Sequence, residues 1–452
     1  MEKDLTHGSV FHNVVTFSLP YLLSFFLQTL YGMADLFIVG QYDGVASTTA
    51  VSVGSQVMHM LTVMLVGLAM GTTVTIGQAV GAKQRKRISQ CIGNTVTLFM
   101  LLSVALTAVL LLCVQPIVRV MSTPAEAVSG TAAYLTVCFI GIPCITAYNI
   151  IASIFRGLGD SKSPMYFIAV ACAANIALDY LFMGVFHLGP VGAALGTTLS
   201  QALSVVVSLI AILRRKAVTV SKDDFRPRRD ILCSILRIGL PITLQDGLIQ
   251  VAFIIITIIA NQRGLTDAAA VGIVEKIISF LFLVPSSMLS AVSALGAQNI
   301  GAGKPKRAMD TLKYAILLAA GFGLIIAVLM QGIAEHVVAL FTTDTAVAAA
   351  GGAYLRGYIW DCLFAGIHFS FSGYFCACGK SVLSFLHNII AIVLVRVPGV
   401  YLTSRMFPET LFPMGLATAA GSLLSVMICV AAFCVLQKEA NRSAQAAYSI
   451  FD

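Results

Sequence analysis

Charge is the scarcest ingredient of this 452-residue chain: Asp, Glu, Lys and Arg together make up 11% of it, against about 25% in an ordinary soluble protein. Tryptophan occurs once. No HExxH, GxSxG or P-loop pattern appears, so nothing points to an enzyme. Eleven cysteines lack the paired CxxC spacing of a zinc ribbon, and most of them, such as Cys113, Cys138, Cys172 and Cys429, sit in apolar runs as small core hydrophobes. What the chain has in excess is apolar surface: 58% of its residues belong to the AVILMFWYC set, and the mean hydropathy is +0.92. It is read as an integral membrane protein. Soluble enzyme, nucleic-acid binder and disordered scaffold are excluded together, and the net charge of +8 is a property of loops rather than a footprint for a polyanion.

A helix needs about 20 apolar residues to cross the hydrocarbon core. Twelve segments qualify: 14–40, 46–80, 91–114, 128–155, 164–186, 190–213, 233–260, 266–300, 312–334, 347–377, 381–403 and 410–436. The first thirteen residues lack the basic n-region and cleavage site of a signal peptide, so the first span is expected to be retained. With the N-terminus inside, 21 of the 28 Lys and Arg residues fall in tails and loops on the cytoplasmic side, from Lys3 and Lys83 to Lys216, Lys438 and Arg442. Only Arg119, Arg263 and Arg405 fall in the opposite loops, and Arg237, Lys276, Arg356 and Arg396 lie within spans. That asymmetry predicts both termini in the cytoplasm of a multi-pass protein of a cell membrane, a bacterial inner or a plasma membrane.

A shift near 220 residues superimposes the chain on itself. Leu19 and Pro20 recur as Leu240 and Pro241; Gln78, Gly81, Ala82, Lys86 and Arg87 recur as Gln298, Gly301, Ala302, Lys306 and Arg307; Phe155, Gly159 and Ser161 recur as Phe375, Gly379 and Ser381. Pro190, Gly192 and Ala194 recur slightly late as Pro413, Gly415 and Ala417. Each half has an even number of spans, so both enter the membrane in the same sense. The predicted fold is an all-α membrane protein of 12 transmembrane helices in two six-helix lobes, related by a pseudo-two-fold along the membrane normal. The lobes are residues 14–213 and 231–437, joined by a basic linker, 214–230, whose role is to set topology rather than to grip lipid headgroups. Two such lobes around a central site suit a transporter in which one rocks against the other.

Five acids lie inside spans, where burial of a carboxylate costs about 2.5 to 3.5 kcal/mol and makes each a functional candidate: Asp35, Asp179, Asp246, Glu275 and Asp361. Asp35 on the first span and Asp179 on the fifth both fall roughly 8 to 11 Å below the outer boundary, at 1.5 Å per residue. Asn175 shares the face of Asp179, while Tyr134 on the fourth span and Thr197 on the sixth reach the same depth. Five oxygen-bearing groups in one layer suit a proton or a hard cation such as Na⁺; the alternative is that each acid is separately satisfied by its neighbours. The repeat positions equivalent to the two acids are Ile255 or Ile256 and Gly399, so the cluster belongs to one lobe. Asp246, Glu275 and Asp361 belong to the second lobe, as substrate-cleft groups attracting cations or as makers of structural hydrogen bonds. Pro20 lies in the same span as Asp35 and permits a kink that could couple ion binding to helix bending, the alternative being a static kink. His59, His368 and His387 are read as satisfied core residues, and Met58, Met60, Met64 and Met70 as packing rather than a soft binding surface.

The stretches Gln28 to Gly40 (QTLYGMADLFIVG), Gly77 to Ala82 (GQAVGA) with its echo Gly296 to Ala302 (GAQNIGA), and Phe155 to Pro164 (FRGLGDSKSP) resemble the MATE family of multidrug and toxic compound extrusion antiporters over residues 14 to 437. The resemblance implies that Asp35 is central to ion coupling and that Asn175, Asp179, Tyr134 and Thr197 complete the coupling set, with Pro20 as the bending proline. Two features depart from the family. Asp246 and Asp361 miss the positions of the acids that one branch carries on its seventh and tenth spans, and Cys376 to Lys380 (CACGK) replaces an RG-containing turn. The implied function is secondary antiport of amphiphilic, cationic organic compounds in exchange for H⁺ or Na⁺, with no cofactor beyond the coupling ion. The partners expected are those small molecules and membrane lipid, with no nucleic acid, and the protein is expected to be a monomer. The competing reading, a lipid-linked oligosaccharide flippase of the wider superfamily, would need several cleft arginines for a pyrophosphate. Only Arg237, Arg356 and Arg396 lie in spans, opposed by five acids.

Overall fold

The computed structural model describes residues 4–215 and 220–448; Lys3 and Lys216 of the basic count lie outside them. The described residues are helical and turn throughout, with no strand. Apolar runs fold this way because a helix satisfies its own backbone where no water is available. The first half comprises α1 (Val10–Tyr42), α2 (Val45–Gly81), α3 (Arg85–Leu112), the short α4 (Val114–Val120), α5 (Val128–Ile140), α6 (Ile142–Gly157), α7 (Lys162–Asp179) and α8 (Gly189–Arg215). The second comprises α9 (Arg229–Asn261), α10 (Leu265–Leu281), α11 (Leu283–Gly301), α12 (Pro305–Ala339), α13 (Thr345–Tyr358), α14 (Trp360–Ala377), α15 (Ser381–Ala391), α16 (Val397–Met406) and α17 (Phe412–Tyr448).

Ten helical stretches among the described residues are long and apolar enough to cross a membrane. The other two of the twelve expected spans are broken. α5 and α6 meet at a 49° bend, where Pro143 denies the ladder an N–H and Gly141 abuts α8 so closely that a Cβ would stand 2.5 Å from Thr198 Cγ2. Their counterparts α13 and α14 part at Ile359. The fifth span and its repeat each contain a π-helical turn, Tyr180–Val185 directly after Asp179 and Ile392–Arg396 before α16. Such bulges mark functional sites more often than chance would place them there.

By compactness the chain divides into two units. The first holds residues 4–215, 220–247, 290–311 and 377–379 of the described chain; the second holds 248–289, 312–376 and 380–448. The first unit's core runs through Ile38, Val39, Val51, Leu135, Phe139 and Ala194, and a further layer brings Ile231 and Ile235 of α9 against Ile76 and Phe99. The second unit is built around Ile256, Val271, Val274, Leu355, Ile359 and Val400.

Within the first unit the two copies of the repeated motif meet. Gln78 donates through Nε2 to the Ala377 carbonyl at 2.9 Å, and its repeat Gln298 donates to the Gly157 carbonyl at 3.1 Å. Both partners are themselves repeat equivalents. A Cβ on Gly81 would stand 1.9 Å from the Gln298 carbonyl oxygen, and one on Gly301 would stand 2.1 Å from that of Gln78. Only glycine allows the two helix ends to cross so closely. The N-terminal turn closes over this crossing: Leu5 donates its N–H to Gln298 Oε1 at 3.2 Å, and Lys304 and Arg307 donate to the carbonyls of Thr6, His7 and Gly8. The Thr6 hydroxyl and amide and nearby His7 hold the Asp4 carboxyl down to a pKa of about 2.

The basic linker is docked rather than loose over its described part. Asn94 of α3 donates to the carbonyls of Asp224 and Arg226 and accepts from the Arg228 N–H at 2.6 Å. Ser221 hydrogen-bonds to Asp224 and keeps that carboxyl below the usual carboxylate range.

Candidate functional site

The first half assembles most of its expected polar set around α1. Asp35 is 2% exposed, and Asn175 and Asp179 are fully buried. Thr197 Oγ1 on α8 donates to Asp35 Oδ2 at 3.0 Å. Asp179 and Asn175, one turn apart on α7, stand beside the same carboxylate. Asp35 Oδ1, both oxygens of Asp179 and both amide atoms of Asn175 are buried without a hydrogen-bond partner. Tyr134 on α5 borders the group and is buried, but its hydroxyl is engaged by Ser55 Oγ at 3.2 Å. The structure therefore gathers Asp179, Asn175 and Thr197 beside Asp35, with Thr197 hydrogen-bonded to it and Tyr134 as a flank.

Two carboxylates side by side in a dry interior cannot both stay ionised without a cation between them, and a proton shared by the pair removes the conflict. The unpartnered oxygens and amide give either ion a set of acceptors. Three further residues complete the surroundings. Gly196 faces Asp179, where a Cβ would stand 2.0 Å from Oδ1. Tyr31 acts on Asp35 electrostatically and meets Gln201, whose Oε1 is buried without a partner. The sequence carried signals for two of these: Tyr31 lies four residues before Asp35 and Gln201 four after Thr197, each on the same helix face. Nothing marked Gly196.

The second half's acids are placed differently. Asp361 at the start of α14 is fully buried and ion-paired through Oδ2 to Arg396 Nη2. It is thus already neutralised by a side chain. Glu275 on α10 accepts from Thr257 Oγ1 at 3.3 Å, and its Oε1 is buried without a partner. The buried hydroxyls of Tyr354 and Tyr358 likewise lack partners. His368 and His387 pack with ring centroids 5.4 Å apart, and Ser372 meets His387 Nε2 at 2.9 Å. Asp246 lies on the part of α9 that belongs to the first unit, half-buried against α2: a Cβ on Gly67 would stand 2.8 Å from its Oδ2. Pro20 is buried inside α1, which continues through it, and Ser24 Oγ donates to the Pro20 carbonyl at 2.7 Å.

Known proteins share this organisation. The MatE family model matches the chain twice, over residues 20–181 and 241–402. A probable multidrug resistance protein of Bacillus subtilis, YpnP, is 28% identical over 395 residues, covering 87% of this chain and 88% of that one. The multidrug export protein MepA of Staphylococcus aureus is 26% identical, covering 89% of each. A crystal structure of MATE in the bent conformation superimposes with a TM-score of 0.90 at 24% identity, covering 98% of both chains. The double match, which falls on both copies of the internal repeat, shows that this chain is a multi-pass membrane protein belonging to the MatE family.

Proposed function

We propose that this protein is a secondary antiporter that exports amphiphilic, cationic organic compounds in exchange for H⁺ or Na⁺, with both termini in the cytoplasm. The observation that carries the reading is the buried pair Asp35 and Asp179, which has oxygens to spare and, among the described residues, no basic side chain hydrogen-bonded to it. The names of the relatives, a probable multidrug resistance protein and a multidrug export protein, support export of drugs.

An ion arriving from outside neutralises the pair and favours one arrangement of α1, α7 and α8; its loss to the cytoplasm restores the other. Coupling follows when ion and cargo differ in affinity for the two arrangements, because a ligand that binds both equally shifts nothing. Pro20 lets α1 bend at reduced cost, since its missing N–H leaves one ladder bond unmade. The crossing of α2 and α11 at Gly81 and Gly301 serves as the cytoplasmic closure. Asp246 and Glu275 favour cationic over anionic cargo.

The test is efflux of a fluorescent organic cation from proteoliposomes under separately imposed Na⁺ and H⁺ gradients. Efflux driven by one of them and absent without either is expected. Equal efflux with no gradient would overturn antiport.

A further inference from the structure

The two halves place polar groups at matching repeat positions but give them opposite charge logic. Tyr134 recurs as Tyr354, Ser55 as Glu275 and Cys138 as Tyr358. In the first half, the helix that carries the π turn presents Asp179 to a second acid; in the second, the equivalent helix presents Arg396 to Asp361. Arg396 is not free to swing. It is buried, with its guanidinium 5.8 Å from the centroid of the Phe253 ring. Gly421 on α17 makes room for its stem, since a Cβ there would stand 2.9 Å from Arg396 Cβ. Glu275, Tyr354 and Tyr358 all act electrostatically on the same guanidinium.

We propose that Arg396 is a tethered counter-ion: it occupies the place beside Asp361 that an exchangeable Na⁺ would otherwise take, so that Na⁺ exchange is confined to the first half. A guanidinium keeps its proton under all conditions a protein survives, and here it meets Asp361 through one contact, Nη2 to Oδ2, leaving Asp361 Oδ1 and Arg396 Nε buried without a partner. The pair therefore balances the charge of Asp361 permanently, whereas Asp35 and Asp179 must recruit a mobile ion. The inference rests on the antiport reading for what the first half does, but not for what Arg396 blocks.

The chain's single tryptophan, Trp360, immediately precedes Asp361 and packs on the second unit's core, so the chain's tryptophan fluorescence arises next to this site. The experiment titrates Na⁺ against choline at constant ionic strength and mildly alkaline pH, in the full chain carrying Asp35→Asn so that the first half's site is disabled. The expected result is no Na⁺-dependent change in this parent. A saturable Na⁺ response should appear on adding Arg396→Gln, which bares Asp361, and vanish again in the Asp361→Asn/Arg396→Gln pair. A saturable Na⁺ response in the parent overturns the proposal without recourse to any arginine variant, and so does a folded Arg396→Gln protein that ignores Na⁺. Failure of the antiport reading is distinguishable, because it would show as full gradient-driven efflux in the Asp35→Asn protein, a flux measurement independent of Trp360.

Discussion

The two halves of this transporter are alike where helices cross and unlike where charges are buried. At the crossing, Gln78 and Gln298 reach for the repeat-related carbonyls of Ala377 and Gly157, and Gly81 and Gly301 each lie against the other copy's glutamine backbone. In the polar interiors, an acid faces an acid in one half and an arginine in the other. Packing at a helix crossing is constrained from both sides, so a change in one copy requires a matching change in the other. A buried charge needs only a local remedy. Duplication thus leaves close backbone contacts symmetric and lets the electrostatics of each copy diverge, an acid pair in one half and an acid–arginine pair in the other.

The largest effect should come from removing that difference at its source. Asp35→Asn and Asp179→Asn are each expected to abolish gradient-driven efflux in proteoliposomes with the protein still inserted and folded; full transport by either variant would mean that the two acids are separately satisfied structural groups. Next in size is the stability of the second half. Arg396→Gln leaves a buried carboxylate uncompensated and should destabilise by about 3 to 5 kcal/mol, read as a lowered midpoint of thermal unfolding in detergent. The Asp361→Asn/Arg396→Gln pair should recover most of that loss, and no recovery would show that Arg396 stabilises through packing alone.

The symmetric part of the comparison can be sharpened with Gly81→Val and Gly301→Val. Each side chain would strike a carbonyl oxygen of the other helix, so the two variants should reduce efflux alike, by about tenfold for each 1.4 kcal/mol of bias against the closed crossing. Cysteine accessibility at this end would report the opening, and very unequal effects would refute the equivalence. Asp246→Asn and Glu275→Gln should weaken resistance to cationic compounds by a smaller factor while sparing neutral ones, measured as growth inhibition in an efflux-deficient host. Unchanged resistance would remove both from cargo recognition. The smallest expected change is in Pro20→Ala, which restores a backbone bond and favours a straighter α1: slower transport with an unaltered ion preference, measured as initial efflux rate.

Much of this was legible from residue order. Hydropathy and the repeat delimited the twelve spans, and counting residues from the span ends placed Asp35, Asp179, Asn175 and Thr197 in one layer, where the structure joins them. Tyr134 was at the right depth too, but its hydroxyl turns to Ser55, a serine that one-dimensional spacing had no reason to select. Gly196 was invisible for a related reason. A glycine announces nothing about what lies opposite it, and its importance comes from an Asp179 oxygen where its Cβ would be.

What the sequence determined by itself is therefore what depends on distance along a helix: which segments are long and apolar enough to span, which residues share a face, how far each acid lies from the end of its segment, and that the chain is doubled. What only the tertiary structure decided is what depends on which helices become neighbours. Asp361 and Arg396 are 35 positions apart, on helices whose adjacency no periodicity encodes, and their pairing gives the Asp361 carboxylate a side-chain counter-ion. The physical reason is that periodicity sets the direction and depth of a side chain, while the sign of the charge beside it is set by packing between segments far apart in the chain.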